Sequence, residues 1–524
     1  MPVAAPETPR CADDGFNLLT EPLLTVDDGE KVSLPELFAG LASGRCQQLS
    51  RLRAHQRSAW HMFSVQLAAL ALARAGHDTL PESAEQWRAL LRALSHAESG
   101  LESDAPWRLS VADRTTPAFL QPPDPGGLTW SPVATPDALD LLITSRNHDL
   151  KKEIALYADP EDWVLALVSL QTMEGYGGSA NYGIARMNGG SSSRALLGLI
   201  PARENGAPDR AGWWRRDVTL CLNRRDTPGP MRPGHTALLW CHPWPENTAL
   251  GADDLDPLAI EVCRRVRLDI RDGALRAERS GSKAARVNSS AFKGALGDPW
   301  APVSIGTGSP KALTIGEGRF DYRRLVDLLF SGNWALPAAA TLQADEPAER
   351  MLLLAEALAR GNSTTHGLRS RLLPLPRKVV AGGWFQQQTH SLNAAAEHQM
   401  ADIAAADVAL REAVALYAAE GDPSAVGRDE RRRARHVRER LDAAADDVFF
   451  DYLWDRLDPG TEATARRTFR RLLVATARQE LTRAFTTTPC ASAWAVRARI
   501  RAESCLVGRL RKAQLIETEN GDDP

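Results

Sequence analysis

The seven cysteines, Cys11, Cys46, Cys221, Cys241, Cys263, Cys490 and Cys505, are scattered and form no CxxC pair. That argues against a disulfide framework and a cysteine zinc site, and it fits a reducing cytoplasm. Charge of one sign is not in excess either: 63 Lys and Arg face 66 Asp and Glu, a net of −3. A nucleic-acid surface would then have to be local, or shared with basic partners. The first residues, MPVAAPETPRCADDG, lack the basic-then-apolar pattern of a signal peptide. The apolar run around Phe63–Leu72 is interrupted by Gln66 and is too short to cross a bilayer. No repeat or low-complexity tract stands out. No paired-carboxylate, Cys–His or Ser–His–Asp arrangement has identifiable spacing, so no catalytic residue is assigned.

What is present is an ordinary globular composition, 44% hydrophobic and 25% charged over 524 residues, enough for two to four domains. Phe16–Phe38 reads as a strand-like segment, an Asp27-Asp28-Gly29 turn and a helix capped at Ser33. Helical periodicity follows near Arg53–Gly76 and Glu82–Ser99, the second with Trp87, Leu90, Leu91 and Leu94 on one side. Thr115–Pro136 is Pro- and Gly-rich and reads as loop. Leu139–Lys152 is an apolar run ending in a polar, basic turn. Its His148-Asp149 pair suits local hydrogen bonding better than a metal site. Short β-like runs then appear at Val218–Leu222, Ala237–Cys241, Val266–Ile270 and Ala312–Ile315. His242 has no spaced partners and reads as structural, and Lys293 and Lys311 sit in loop-like sequence.

The stretch Gln171–Arg194, QTMEGYGGSANYGIARMNGGSSSR, stands apart. Gly175, Gly177, Gly178, Gly183, Gly189 and Gly190 leave a backbone that can lie close to a ligand and offer its N–H groups. Tyr176 and Tyr182 could stack or hydrogen-bond, and Arg186 and Arg194 bring charge. A helix delivers this loop, with Asp159 as cap, Pro160, Glu161 and Asp162 in its first turn, and an apolar face of Trp163, Leu167 and Leu170. The Gly-Lys-Ser/Thr ending of a phosphate loop is missing, and GxGxxG does not fit. Composition alone leaves a plain flexible loop, a nucleic-acid contact and a small-ligand site open.

From about Phe320 the pattern is strongly helical. Beyond Pro374, Pro376, Arg377 and the segment AGGWFQQQTH (Ala381–His390), four long stretches run roughly over Ser391–Glu420, Asp429–Leu457, Thr461–Phe485 and Ala491–Leu515. Short connections between them predict an antiparallel four-helix bundle. Two of these helices carry arginine clusters: Arg431, Arg432, Arg433, Arg435 and Arg438, then Arg466, Arg467, Arg470 and Arg471. A solvated, acid-balanced face and a phosphate-contacting face both fit.

FNLLTEP…SLPELF, LLITSRNHDLKK, GYGGSANYG and AGGWFQQQTH, followed by a helical bundle, together resemble the large subunit (CasA) of the type I-E CRISPR surveillance complex, Cascade. The resemblance covers nearly the whole chain through the order of these motifs. It implies an α+β fold: a mixed N-terminal domain over 1–372 with short strands and helices, a junction with a wedge over 373–390, and the bundle over 391–524. It implies a non-catalytic subunit of antiviral defence. Such a subunit recognises the protospacer-adjacent motif (PAM) in double-stranded DNA from the minor groove, starts strand separation and R-loop formation, and helps recruit the helicase-nuclease. The implied partners are crRNA, the other Cascade subunits, target DNA and that helicase-nuclease, with no cofactor and no membrane.

Carried over by position, Gly175, Tyr176, Gly177 and Gly178 would face the motif. Gln387, Gln388 and Thr389 would be the wedge. Arg146, Asn147 and His148 would lie near the guide RNA or a neighbouring subunit. Arg431, Arg432, Arg466, Arg467, Arg470 and Arg471 would meet the displaced strand. The family's lysine that reaches into the motif maps to Lys311 or, second, Lys293. Paired cysteines seen in some relatives are missing, so no zinc is expected, and Leu23-Leu24 stands where Trp-Ile is usual. Two other readings stay open: a metal-dependent nuclease using His148 and Asp149, and a scaffold whose glycine loop only packs against a neighbour.

Overall fold

The computed structural model describes residues 15–142, 158–306, 308–343, 346, 350–361, 364–381, 389–457 and 460–516. Two compact units share the chain: one comprises Met1–Phe320 and Asn333–Val380, the other Asp321–Gly332 and Ala381–Pro524. The class is α+β.

In the first unit, α1 (Leu34–Ser43) starts at Ser33, whose amide and hydroxyl both donate to Glu36 at 2.7 Å. Two polar groups at the helix start are thereby satisfied. α2 (Arg57–Ala75), α3 (Ala84–Ser99) and α4 (Pro160–Met173) follow, then α5 (Arg210–Arg224). α2 and α4 are buried along nearly their whole lengths. For α4 the sequence showed one apolar face; the structure covers the other sides as well. Even Glu161 is inside, accepting from the Thr25 amide at 2.9 Å and hydroxyl at 2.6 Å, and burial raises its pKa.

Among the described residues this unit also holds three three-stranded antiparallel sheets, two of which have the longer strands. In chain order the strands of these two are β1 (Ser131–Val133), β2 (Leu196–Pro201), β3 (Arg265–Arg271), β4 (Ala274–Ser280), β5 (Met351–Gly361) and β6 (Thr364–Leu375). One sheet has the order β3-β4-β1, the other β6-β5-β2. The β5–β6 hairpin overturns a sequence expectation. MLLLAEALARG is made of helix-forming residues, yet it pairs with β6 on one side and β2 on the other. Cross-strand packing overrides a propensity difference of less than about 1 kcal/mol per residue. The reverse holds at Val218–Leu222: the β-like run VTLCL lies inside α5, which Asp209 caps by accepting from the Gly212 amide at 3.0 Å.

The helical unit contains α6 (Tyr322–Phe330), which the sequence assigned to the N-terminal domain. Its Tyr322 stacks on Phe449 at 4.7 Å and donates from its hydroxyl to Asp442 at 2.9 Å, which places it with the bundle. The short α7 (Arg377–Ala381) precedes the bundle helices: α8 (Thr389–Ala418), α9 (Arg428–Arg433), α10 (Arg435–Asp455), α11 (Glu462–Thr487) and α12 (Ala495–Lys512). Pairings of Gln399 with the Phe449 carbonyl, Asp407 with Arg438 and Glu412 with Arg431 run α8 antiparallel to α9 and α10. The expected bundle is present. Among the described residues no helix is long and apolar enough to cross a membrane.

Candidate nucleic-acid interface

The glycine stretch is a knot of backbone rather than a floppy loop. A Cβ at Gly190 would lie 1.8 Å from the Tyr176 carbonyl oxygen, and one at Gly183 would lie 2.4 Å from the Gly175 carbonyl carbon. A Cβ at Gly175 would meet the Gly189 oxygen at 2.3 Å. Segments 175–176, 183 and 189–190 therefore touch main chain to main chain, which only glycine permits. Arg264 donates to the Gly175 carbonyl at 2.9 Å, and Glu174 pairs with both Arg264 and Arg360.

This knot holds a tight tip. The Gly177 amide donates to the Asn181 carbonyl at 2.8 Å, and the Asn181 amide to the carbonyl of Gly178 at 3.0 Å. Gly178 has φ +111°, and a Cβ there would find nothing within 4 Å. Among the described residues, the amides of Gly178, Ser179 and Ala180 have no acceptor. Three N–H groups in succession are thus left for a ligand. Tyr176 is 52% exposed, with its ring 6.0 Å from that of Tyr182. Tip and knot line one side of a cleft of about 1050 Å³, whose other walls include Arg264, Arg279 and Arg360.

The two arginines expected to bring charge are instead structural. Arg186 is buried against Glu261 at 2.7 Å, and Arg194 makes a two-pronged pair with Asp298 at 2.6 and 3.0 Å. Both ion pairs hold the far half of the stretch in place.

Sequence reasoning also missed a lysine. Tyr182 donates its hydroxyl to the Lys283 carbonyl at 3.3 Å, and the Ser282 amide donates to the Ala180 carbonyl at 3.2 Å. Lys283 therefore stands beside the tip, with its side chain 73% exposed. Lys293 and Lys311 belong to a neighbouring patch: the Ala312 amide donates to the Lys293 carbonyl at 3.0 Å, and the Lys293 ammonium to Ser309 at 2.8 Å. Arg146, Asn147, His148, Gln387 and Gln388 lie outside the described residues, and Thr389 is described only as the first residue of α8.

In the bundle, the arginine clusters divide. Arg466 and Arg470 both reach Asp402, Arg470 at 2.8 and 2.9 Å, and Arg431 reaches Glu412 at 3.0 Å. Arg432 and Arg471 are exposed, with no side-chain partner among the described residues. Burial pushes the Asp402 carboxyl up, but the two arginines outweigh this and hold it below its usual value. Its stabilisation is therefore complete above the unfolded value of about 3.9 and is lost as pH falls through the lower folded value. Asp402→Asn should lower the unfolding temperature of the bundle at pH 7 and flatten its loss of stability in acid. An acid limb unchanged by circular dichroism would contradict this.

Among the described residues no group of three or more metal-binding side chains occurs, and His242 pairs with Glu98 at 3.0 Å.

No family model matches the sequence, and no curated protein is similar to it. Solved structures do match. Cse1 from Acidimicrobium ferrooxidans, a CRISPR-associated protein, aligns with a TM-score of 0.61 at 18% identity, covering 97% of this chain and 99% of that one. CasA from Thermus thermophilus gives 0.59 at 16%, covering 95% and 99%. Thermobifida fusca Cse1 gives 0.59 at 17%, covering 95% and 98%. At these identities the likeness is one of fold, and it extends over both units, so this chain has the fold of the Cse1 (CasA) proteins.

Proposed function

We propose that the chain is the non-catalytic large subunit of a crRNA-guided type I-E Cascade complex, which recognises a PAM in duplex DNA and starts strand separation. The observation that carries this reading is the loop tip. Three unclaimed amides, on a backbone held by glycine-only contacts, can meet the acceptor groups of a minor groove too narrow for most side chains. Lys283 beside the tip supplies a cation for the same groove or its phosphates, in place of Lys311 or Lys293.

Gln387, Gln388 and Thr389 act as the wedge, opening a base step at a cost of a few kcal/mol. Guide–target pairing and contacts at the motif offset that cost. Arg146, Asn147 and His148 face the guide RNA or an adjoining subunit. Recruitment of the helicase-nuclease completes the role. In the bundle, Arg432 and Arg471 are better placed for displaced-strand phosphate than Arg431, Arg466 and Arg470, whose charges are matched by acids.

The deciding experiment is R-loop formation by the reconstituted guide complex with and without this chain, on targets differing only in the flanking motif. Strand opening, read by permanganate reactivity, should require both chain and motif, and Gln388→Ala should slow it. Opening indifferent to the chain would leave the scaffold reading in its place. A separate result concerns the bundle: Arg432→Gln with Arg471→Gln should weaken DNA binding and reduce the slope of log K against log salt by up to about 2, one for each phosphate no longer neutralised. An unchanged slope would make these arginines ordinary surface.

A further inference from the structure

Lys283 is not free in this structure. Its ammonium lies 2.5 Å from a carboxylate oxygen of Glu246. The lysine is exposed and the Glu246 side chain half-buried; such a pair adds little to stability, and the placement of Glu246 points to a second role.

Glu246 follows Trp244, whose buried indole lies near two guanidiniums. Arg265 is 4.3 Å from the ring centroid and Arg286 is 5.6 Å from it. Arg286 also donates to the Pro243 carbonyl at 2.8 Å and to the His242 carbonyl at 3.2 Å. The segment before Glu246 is thereby pinned through both its ring and its main chain. The partner segment is pinned as well: the Ser282 amide and the Lys283 carbonyl are bonded to the loop tip, and a Cβ at Gly281 would lie 2.9 Å from that of Ala180. Two anchored backbones thus hold a carboxylate against the lysine attached to the tip.

We propose that Glu246 is a built-in competitor for nucleic-acid phosphate at the loop tip, and so a specificity-determining residue. The inference rests on the DNA-reading function proposed above. A phosphate approaching Lys283 must displace the Glu246 carboxylate and tolerate its charge nearby. Duplex lacking the motif has only that electrostatic attraction to offer, and the carboxylate cancels much of it. Duplex carrying the motif adds hydrogen bonds to the tip amides, which offset the exchange. Discrimination is sharpened by a repulsive element, as is general where affinity alone would admit wrong partners.

The test compares the full chain in its reconstituted guide complex as wild type, Glu246→Gln and Glu246→Gln/Lys283→Gln, on duplexes with and without the motif. Glu246→Gln should raise affinity for motif-free duplex on the order of fivefold, raise motif-bearing affinity less, and so narrow the ratio between them. Adding Lys283→Gln should cancel the gain, because the two residues act as one coupled pair. Reductive methylation of Lys283 in the DNA-free chain, quantified by mass spectrometry, should increase in Glu246→Gln. Unchanged affinities in Glu246→Gln, with the wild type still selecting the motif, overturn the competitor role alone. A wild type that does not select the motif overturns the DNA-reading function, and the competitor role falls with it.

Discussion

Gly190→Ala should abolish motif-dependent strand opening, whereas Gly178→Ala should leave the loop standing. Both residues are glycines of one loop, but the reasons differ. At Gly190 the obstacle is space: a methyl group would overlap the Tyr176 carbonyl oxygen at 1.8 Å. Its neighbours are main chain, so no rotamer change relieves the overlap, and segments 175–176 and 189–190 must part. Ordinary overpacking against side chains costs about 1–3 kcal/mol, and main chain yields less readily. Gly183→Ala should behave like Gly190→Ala, with 2.4 Å to the Gly175 carbonyl carbon.

At Gly178 the obstacle is angle. Its φ of +111° is strained for any side chain, at roughly 1–3 kcal/mol, but the space is open. Permanganate reactivity of target DNA, measured beside the melting temperature of each variant, separates the two cases. Gly190→Ala should lose opening on the order of 100-fold, equivalent to about 2.7 kcal/mol and so within reach of overpacking strain alone. A Gly178→Ala loss well beyond what its roughly 1–3 kcal/mol of backbone strain explains would show that DNA occupies the space the chain leaves empty. Wild-type opening by Gly190→Ala would remove the loop from the reading altogether.

The second large effect is on stability. Asp298→Ala strips the Arg194 guanidinium, only 3% exposed, of its carboxylate partner. The remaining neighbours are Gln66 at 3.2 Å and the Trp300 ring, over which the guanidinium lies at 5.3 Å. The Trp300 amide also loses its acceptor, at present 3.0 Å away. An unpaired buried charge costs about 3–5 kcal/mol. The double replacement Arg194→Met/Asp298→Leu should recover much of this, because it removes the charge as well as the partner. Urea unfolding of the full chain measures both. A single variant as stable as wild type would mean that water reaches Arg194.

The consequence for the loop follows from position. Arg194 ends the glycine stretch just before β2, so this ion pair fixes where the knot meets the sheet. Arg186 and Arg194 were legible in sequence only as charge beside glycines. That each has a buried carboxylate partner, Glu261 and Asp298, could not be read, because those partners lie 75 and 104 residues away.

What the sequence determined by itself was local or periodic. The Ser33 cap, α2 and α3, the Pro160 start of α4 and the four long bundle helices follow from capping, proline placement and spacing of apolar residues within a few turns. The special character of Gln171–Arg194 was equally plain, since its six glycines are a property of composition that needs no partner to be seen. Tertiary structure decided the rest. It made a hairpin of MLLLAEALARG, because strand pairing with β2 and β6 outweighed helix propensity. It sent α6 to the bundle through Tyr322, Asp442 and Phe449. It divided the bundle arginines by placing Asp402 and Glu412 opposite Arg466, Arg470 and Arg431, and no described acid opposite Arg432 and Arg471. It also placed Lys283 beside the tip. Each of these outcomes depends on a pairing energy between residues far apart in the chain, which a pattern of neighbours does not contain.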